Sequence, residues 1–340
     1  MTTNQRYAVT KRQTTDRLRE ILACPVEQLT DAVRAAYADA ATLRAYHPVN
    51  DVSGTDAIAA ELWRPIRAAF PDIERRELVV IGGVHDNRDF VCSVSHLQGT
   101  FVNDLYGIPA SHGVARLRCG EFNEIRDGKI ASTHMIIDTL DLMGQAGCWP
   151  IGRSLGAEGV WESPATQDGI RLDVVDAERG ADAMKIVKDM HVGLMAFDGK
   201  SLDSMHHAQY WTEHFMWYGP AGIGTTRGLK GFEANHQVPF LRGFPDRKVS
   251  GHIANVGDGN YAVTGGWPSV VATHSGPDWL NLGPTGRHIK MRVMDFYRID
   301  GKQIAENWVP IDIVDIFRQM NVDLFARVRH HNGSPRRSLD

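Results

Sequence analysis

The segment MDFYRIDGKQIAENWVPID (residues 294–312) has the pattern of an antiparallel hairpin, and GEFNEIRDGKIASTHMIID (residues 120–138) repeats it. In each segment, two runs with alternating apolar residues flank an Asp-Gly turn, as in paired strands that are buried on one face. A short apolar run that predicts a helix follows each hairpin. Since the second segment repeats the order of the first, we expect the chain to contain two copies of one structural unit.

The shift that carries Gly120 onto Met294, which we call the repeat offset, also relates other parts of the chain, over about 90 residues. Chance does not hold one register over such a length, so the matches indicate a duplication. Positions that agree between the copies are expected to serve the fold, and positions that differ are where function can have diverged. The matching pairs include Gly54/Gly228, Pro65/Pro239, Phe70-Pro71-Asp72/Phe244-Pro245-Asp246, Arg118/Arg292, Phe122/Phe296 and Asp138/Asp312.

Helical patterns precede strand patterns in both copies. Residues 31–45 and 180–197 have apolar residues at helical spacing, whereas residues 77–84, 89–101 and 113–125 alternate as half-buried strands do. This order predicts an α+β fold: two tandem cone-shaped α+β barrels, each with helices packed into a curled antiparallel sheet that leaves a pocket at its wide end.

The expected organisation has five parts. They are an N-terminal extension (1–25), a first domain (26–147), a loop-rich linker that packs through Trp149 and Trp161 (148–178), a second domain (179–328) and a tail (329–340).

Composition restricts the class of partner. The chain has 340 residues, a formal net charge of −4 and 43% hydrophobic residues, so no strong field favours nucleic acid or an anionic membrane. No apolar run approaches the roughly 18 residues of a membrane helix, and the polar N-terminus predicts a cytoplasmic protein. The four cysteines form no C-x-x-C pair and no spaced His/Cys array, so we expect no metal site. The partner that we expect is a small-molecule substrate.

Three sequence features resemble one known family. Phe-Pro-Asp (244–246), Gly-Pro-Thr-Gly-Arg (283–287) and the hairpin at 294–312 look like the SnoaL-like polyketide cyclases, in the nuclear-transport-factor-type superfamily of cone-shaped α+β barrels. The resemblance implies acid–base chemistry without a metal or cofactor. It covers both copies, but the superfamily also includes isomerases, dehydratases, epoxide hydrolases and non-catalytic binding proteins, so the fold alone does not fix the function.

The sequence departs from this family at one position. SnoaL-like cyclases usually carry a carboxylate directly after a Trp on the returning strand, with a His opposite. Here Val309 follows Trp308, and its counterpart in the first copy is Met135. The usual acid/base is therefore absent from both copies, and the resemblance alone does not predict an aldol closure.

The hairpin itself offers another carboxylate. A register centred on Lys302 places Asp295 on a face with apolar residues, where desolvation raises the pKa of a carboxyl group and suits it to proton transfer. Its counterpart in the first copy is Glu121. The same register pairs Arg292 with Asp312, and because Arg118 and Asp138 repeat that pair, we interpret it as a structural ion pair. The opposite face then carries the pairs Arg298/Glu306, Phe296/Trp308 and Arg292/Asp312.

The candidate site residues come from both copies. The catalytic candidates are Asp295 or Glu121 as the base, Asn307 as an oxyanion donor and His274, which is either a proton shuttle or a surface histidine near a turn. The second copy supplies an aromatic wall suited to a flat apolar ligand, although single members can equally fill a core or a subunit interface. The substrate-binding candidates are Trp217, Tyr218, Trp267, Trp279 and Tyr297, with His47, Asn50 and His96 in the first copy, where the direction of His96 is left open.

These observations support one leading hypothesis. The protein is a cofactor-independent acid–base enzyme, a cyclase, isomerase or lyase, that acts on a mostly apolar small molecule with a carbonyl or hydroxyl group. The alternatives are a non-catalytic binding protein, or one catalytic copy beside one scaffold copy. Two forms of association also stay open, since the copies can pair with each other or the chain can form a homo-oligomer.

Overall fold

The protein consists of two α+β domains in tandem. A computed structural model describes residues 3–277 and 279–331, so most of the predicted tail, residues 332–340, lies outside the described residues. Across the described ranges, none of the helices has the length and apolar character needed to span a membrane.

The first domain forms a six-stranded sheet in the order β2-β1-β6-β5-β4-β3. Strands β1 and β6 are parallel and the other neighbours are antiparallel. Strands β2 and β3 are the two edge strands, so the sheet is open and does not close into a barrel. A π-helical turn at Ala59–Trp63 joins α3 to α4. The elements are α1 (Thr3–Ala23), α2 (Leu29–Ala36), β1 (Tyr37–Ala45), β2 (Asp51–Ser53), α3 (Thr55–Ile58), α4 (Arg64–Ala69), β3 (Glu74–His85), β4 (Arg88–Thr100), β5 (Val114–Arg126), β6 (Lys129–Ile137) and α5 (Thr139–Gln145).

The second domain repeats this order with a seven-stranded sheet, β10-β11-β12-β13-β7-β8, in which β9 also pairs with β11. A π-helical turn at Glu233–Gln237 again joins two short helices. The elements are α6 (Ala177–Met195), α7 (His207–Tyr210), β7 (Trp211–Tyr218), β8 (Thr226–Arg227), α8 (Gly228–Phe232), α9 (Val238–Gly243), β9 (Lys248–Val249), β10 (Ala254–Asp258), β11 (Tyr261–Thr273), β12 (His288–Asp300), β13 (Gln303–Trp308), α10 (Ile313–Gln319) and α11 (Leu324–His331).

The predicted helix at 31–45 is wrong in its second half. Helix α2 ends at Ala36, and in β1 the buried residues Ala41, Leu43 and Ala45 alternate with exposed ones. Parallel pairing with β6 overrides the helical propensity of the alanines in this segment. The repeat offset makes α1 the counterpart of α6, so the structural repeat extends further toward the N-terminus than the sequence comparison indicated.

The predicted register of the second hairpin is confirmed. The turn is shorter than expected, because Asp300 pairs directly with Gln303, and a bulge next to the turn then restores the register. The facing pairs are Phe296/Trp308, Tyr297/Asn307 and Arg298/Glu306.

The two sheets pack against each other through their outer faces. The rings of Phe122 and Phe296, which are equivalent residues, lie 5.6 Å apart between centroids. A Cβ atom on Gly120 would lie 2.6 Å from Cγ of Pro310, so this position requires the close approach that glycine allows. The two copies therefore pair with each other inside one chain, as the subunits of a dimer do.

Two equivalent aspartates connect the domains reciprocally. Asp138 forms an ion pair with Arg118 at 3.0 Å and accepts a hydrogen bond from the backbone N–H of Ala221 in the second domain. Asp312 forms the predicted ion pair with Arg292 at 3.1 Å and accepts from the backbone N–H of His47 in the first domain. Ala221 and His47 are themselves related by the repeat offset, so the contact has pseudo-twofold symmetry. This interface explains why both copies keep the Arg/Asp pair.

A third link between the domains is a buried ion pair that the repeat does not reproduce among the described residues. Lys11 of α1 lies 2.6 Å from Asp258 of β10, and both side chains are fully buried. The Nζ of Lys11 also donates to the carbonyl of Val174 at 2.7 Å, and the backbone N–H of Asp176 donates to Asp258 at 3.0 Å. The ion pair therefore anchors α1 and the end of the linker to the second domain.

Replacing Lys11 by Met is expected to lower the free energy of unfolding by about 3–5 kcal/mol, because Asp258 then keeps a buried charge without its nearest cation. The matched control is Arg12→Met, which removes the exposed pair with Asp173 and should cost no more than about 1 kcal/mol. Urea-induced unfolding followed by tryptophan fluorescence measures both. Equal, small losses in the two variants would contradict the proposed anchoring role of Lys11.

Candidate functional site

The second domain encloses a cavity of about 450 Å³. Its walls are α6, the helical segment from α8 to α9, and the inner faces of β11, β12 and β13. Most of the lining is apolar, with Trp217, Phe232, Met291 and Val309 among the contributors. Such a cavity is of the size and character that holds a small, mostly apolar molecule.

One carboxylate faces this cavity. Asp295 projects from the inner face of β12 and is the only acidic residue among the described residues that line the cavity. Among the described residues it forms no ion pair; its partner is Asn307, whose Nδ2 donates to Oδ1 at 3.4 Å. Burial raises the pKa of Asp295 to about 7, against the opposing effect of hydrogen bonds from Asn307 and Tyr297. The carboxyl group therefore changes protonation state near neutral pH.

A chain of polar side chains continues from Asp295 to the cavity wall on α6. Tyr297 lies two residues along the same strand, and its hydroxyl is 3.2 Å from Nε2 of His191. His191 stacks on His252, with 5.5 Å between ring centroids. Burial, and secondarily the nearby His252, lower the pKa of His191 to about 4. At neutral pH, His191 is therefore uncharged and can accept or donate a hydrogen bond at Tyr297.

The first domain has an arginine where the second has a valine. Arg75 lies 2.5 Å from Glu121, the counterpart of Asp295, and both side chains are buried. Arg75 also donates to Ser93 at 2.8 Å and to Glu77 at 3.1 Å. The residue equivalent to Arg75 in the second domain is Val249. A valine at this position cannot neutralise Asp295 as Arg75 neutralises Glu121.

A break in one strand opens the cavity. The first domain has a continuous β3, whereas the second has the two-residue β9, then Gly251 at a φ of +136°, and resumes at β10. The interruption brings His252 into the cavity wall and leaves Val249 51% exposed. We call the exposed lining residues the mouth of the cavity: Val192, Met195, Lys248 and Val249.

Five of the predicted site residues lie together around this cavity. Trp217 packs against the ring of His236 at 4.2 Å between centroids, which gives the cavity a flat aromatic wall. The five are Asp295, Asn307, Trp217, Trp279 and Tyr297.

Three predicted residues of the second domain do not reach the cavity. His274 is fully buried behind Trp279, with Nδ1 3.2 Å from Oγ1 of Thr285, so it is neither a surface histidine nor part of the cavity lining. Tyr218 donates to Glu306 at 3.3 Å, and Trp267 lies under Arg292 at 5.0 Å. Both of these aromatic rings are on the outer face of the sheet, where they belong to the contact between the domains.

The predicted residues of the first domain are also separated from the cavity. Glu121 is neutralised by Arg75, as described above. His47 lines a separate surface groove beside Phe325, and Asn50 accepts hydrogen bonds from Arg292 of the other domain. His96 faces a surface depression near Trp161, outside the cone. The loop at residues 47–54 packs toward the second domain, which places Asn50 in the domain contact and His47 in the surface groove.

Sequence reasoning missed most of the polar residues that line the cavity, including His191, His236, Arg247 and His252. His191 lies on a predicted helix next to the apolar positions Val187 and Met190, and a polar residue beside such a stripe was the available signal. His252 lies within the strand break and Arg247 directly precedes β9; no pattern in the sequence indicated this break. His236 lies in the π-helical turn, and Nδ1 of its ring is buried without a hydrogen-bond partner among the described residues.

The residues that the structure describes supply no metal centre to this site. Throughout residues 3–277 and 279–331, no group of three or more His, Cys, Asp or Glu side chains is placed to hold a metal ion.

The fold and the cavity define a class: tandem cone-like α+β domains, one of which holds an apolar cavity with a buried carboxylate. Residues 15–146 and residues 196–320 each match the family described as SnoaL-like polyketide cyclase. The two matches cover most of the chain, and the chain belongs to this family.

The chain is also similar to solved structures that each cover about two fifths of its length. A proposed SnoaL-like polyketide cyclase from Jannaschia sp. CCS1 is 19% identical, covers 42% of this chain and 93% of its own, and has a TM-score of 0.34. IdmH, a proposed polyketide cyclase from Streptomyces antibioticus, is 18% identical over 40% of this chain and 98% of its own, with a TM-score of 0.34. A proposed isomerase from Rhodopseudomonas palustris is 20% identical over 39% of this chain and 95% of its own, with a TM-score of 0.32. Comparison with curated protein sequences found no significant match.

Replacing Asp295 by Asn is expected to remove a pH dependence of stability. The pKa is about 7 in the folded state against an ordinary value of 3.8, so between these values the folded state binds more protons than the unfolded state. The free energy of unfolding of the wild type therefore falls as pH rises from 4 to 7, whereas Asn does not titrate. The stability of Asp295→Asn relative to the wild type should rise over this range, by at most about 4 kcal/mol, as urea unfolding at successive pH values would measure.

Asp246→Asn provides a control, because the pKa of Asp246 is shifted in the opposite direction to that of Asp295. Hydrogen bonds from Thr273 lower the pKa of Asp246, so its contribution is present above the ordinary pKa and is lost as pH falls below it. A difference between Asp295→Asn and the wild type that stays constant from pH 4 to pH 8 would show that Asp295 has an ordinary pKa.

Val249→Arg is expected to lower the pKa of Asp295, because it places in the second domain the residue that neutralises Glu121 in the first. The same series of unfolding measurements reports the change as a weaker loss of stability between pH 4 and pH 7. An unchanged pH profile would show that an arginine at this position does not reach Asp295.

Proposed function

We propose that the second domain is a cofactor-independent acid–base enzyme for a mostly apolar small molecule with a carbonyl or hydroxyl group. The reaction is a cyclisation, an isomerisation or a lyase-type elimination. The observation that carries this proposal is the position of Asp295, a carboxylate in an apolar cavity without an ion-pair partner among the described residues. A pKa near neutrality lets one group take a proton and return it at the same pH.

The geometry supports a specific division of roles. The carboxylate of Asp295 takes a proton from the carbon next to the substrate carbonyl, and the electron pair of that C–H bond moves to the carbonyl oxygen. Asn307, whose amide lies 3.4 Å from Asp295, can donate to the resulting enolate oxygen. Tyr297, held by His191 at 3.2 Å, is a second donor on the same wall. Return of the proton from Asp295 to a different carbon or to the opposite face gives isomerisation. Attack of the enolate carbon on a second carbonyl gives cyclisation, with the proton returned to the new alkoxide. Loss of a β-substituent gives elimination, with the proton passed to the leaving group.

The first domain fits the role of a scaffold. Its carboxylate Glu121 is buried against Arg75 and also accepts a hydrogen bond from Ser93. A neutralised, enclosed carboxylate is poorly suited to accept a proton from a ligand. This arrangement favours one catalytic copy supported by one structural copy.

The alternative is a binding protein without catalysis. Val309, which lines the cavity, occupies the position after Trp308 where SnoaL-like cyclases usually have their acid/base, and this is the observation that favours the alternative. In that case Asp295 and Asn307 would only hydrogen-bond a bound hydroxyl or carbonyl group.

Hydrogen–deuterium exchange tests the proposed proton transfer directly. The protein is incubated in D₂O with flat apolar ketones, 2-acetylnaphthalene and 1-tetralone, and deuterium uptake at the α-carbon is followed by mass spectrometry. The wild type is expected to accelerate exchange above the buffer rate, and Asp295→Asn to reduce this acceleration about 100-fold or more.

The matched control changes the equivalent pair of the first domain. The double variant Glu121→Gln/Arg75→Gln removes both charges of the pair, and Glu77, the other carboxylate on Arg75, keeps its ion pair with Arg19 at 2.7 Å. Exchange should therefore stay within about twofold of the wild type. Ketones that quench the fluorescence of the cavity tryptophans but do not exchange faster than in buffer would favour the binding protein. Equal activity of Asp295→Asn and the wild type would refute the assignment of the base.

A further inference from the structure

Arg247 lines the cavity next to its mouth and has no carboxylate partner among the described residues. Its guanidinium lies over the ring of Phe197, 5.5 Å from the ring centroid. The side chain is half-buried, and this burial lowers the pKa of Arg247. A partly desolvated cation without a counter-ion is costly, since charges that leave water are normally paired.

The fold does not require an arginine at this position. Its counterpart in the first domain is Ile73, which is 4% exposed and part of the hydrophobic core. Phe-Pro-Asp precedes both residues, so the local backbone is shared and only the side chain has changed. The charge at Arg247 thus belongs to the features that distinguish the two copies.

The charges around the cavity are unevenly distributed. Lys248 follows Arg247 and is exposed at the mouth, whereas the only carboxylate that the described residues contribute to the lining is Asp295. Val192 and Met195, which are 72% and 55% exposed, add an apolar rim. The cavity therefore combines an apolar interior, an apolar rim and positive charge beside its opening.

We propose that the cavity binds an amphipathic organic anion, with its apolar part inside and its anionic group on Arg247. Lys248 adds positive charge that attracts the anion to the mouth. The inference rests on the proposed function for its orientation, in which the apolar part carries the reactive carbon to Asp295. It extends that function by naming the substrate class as apolar molecules with a carboxylate, sulfonate or similar group at one end.

Two fluorescent probes that differ by one anionic group test this inference. 1-Anilinonaphthalene-8-sulfonate and N-phenyl-1-naphthylamine share the same aromatic system, but only the first carries a sulfonate. Arg247→Ile, which introduces the residue of the first domain, is expected to weaken binding of the sulfonate about tenfold or more and to change binding of the neutral probe less than about twofold. Lys248→Gln should weaken binding of the sulfonate probe less than Arg247→Ile does. Added salt should reduce the affinity of the wild type for the sulfonate probe.

The control is Arg242→Ile, which removes an exposed arginine of α9 that does not line the cavity; it should leave both affinities unchanged. An equal effect of Arg247→Ile on the two probes, or no effect on the sulfonate, would overturn the inference, as would failure of the wild type to bind the sulfonate. Asp295→Asn separates the two proposals, because it should reduce the acceleration of deuterium exchange about 100-fold or more and still bind the sulfonate. If the wild type accelerates deuterium exchange but Arg247→Ile weakens binding of both probes equally, the anion-binding inference is refuted and the proposed function stands.

Discussion

Each domain places one aspartate where it serves both domains at once. Asp138 and Asp312 begin a helix by accepting a backbone N–H, pair with an arginine of their own sheet, and accept a hydrogen bond from the loop of the other domain. These buried groups must all be satisfied together, because an unpaired carboxylate in this interface would be strongly destabilising. The requirement fixes the outer faces of both sheets against each other. The inner faces point away from that contact and are free to differ.

One difference between the inner faces is a cation that the second domain lacks. In the first domain, Arg75 holds Glu121 as part of a closed core. In the second, Val249 occupies the equivalent position, the strand is interrupted after it, and Asp295 faces an open cavity. The same carboxylate position is therefore structural in one copy and suited to proton transfer in the other. At Asp295, burial raises the pKa of the carboxyl group and no arginine among the described residues forms an ion pair with it.

The sequence predicted the parts of this structure that depend on local pattern and on internal repetition. The duplication, the face that carries Asp295 and the ion pair of Arg292 follow from alternation and from the repeat offset. The predictions were wrong where contacts between distant parts of the chain determine the local structure. Strand β1 pairs with a strand that is distant in sequence, so its helix-favouring composition led to a wrong prediction of a helix. Aromatic residues such as Trp267 lie in the interface between the domains, and the sequence alone does not distinguish this face of the sheet from the cavity face. His252 was missed because it enters the cavity only through a break in a strand.

The covalent connection of the two copies has a consequence for how such a cavity can arise. In a dimer of identical chains, every substitution is present twice, so a change that opens one core opens both. Here a change such as arginine to valine at residue 249 affects a single domain, while its twin keeps a closed core and a complete interface. A tandem gene can thus tolerate a locally unfavourable residue that a symmetric dimer would have to carry in duplicate.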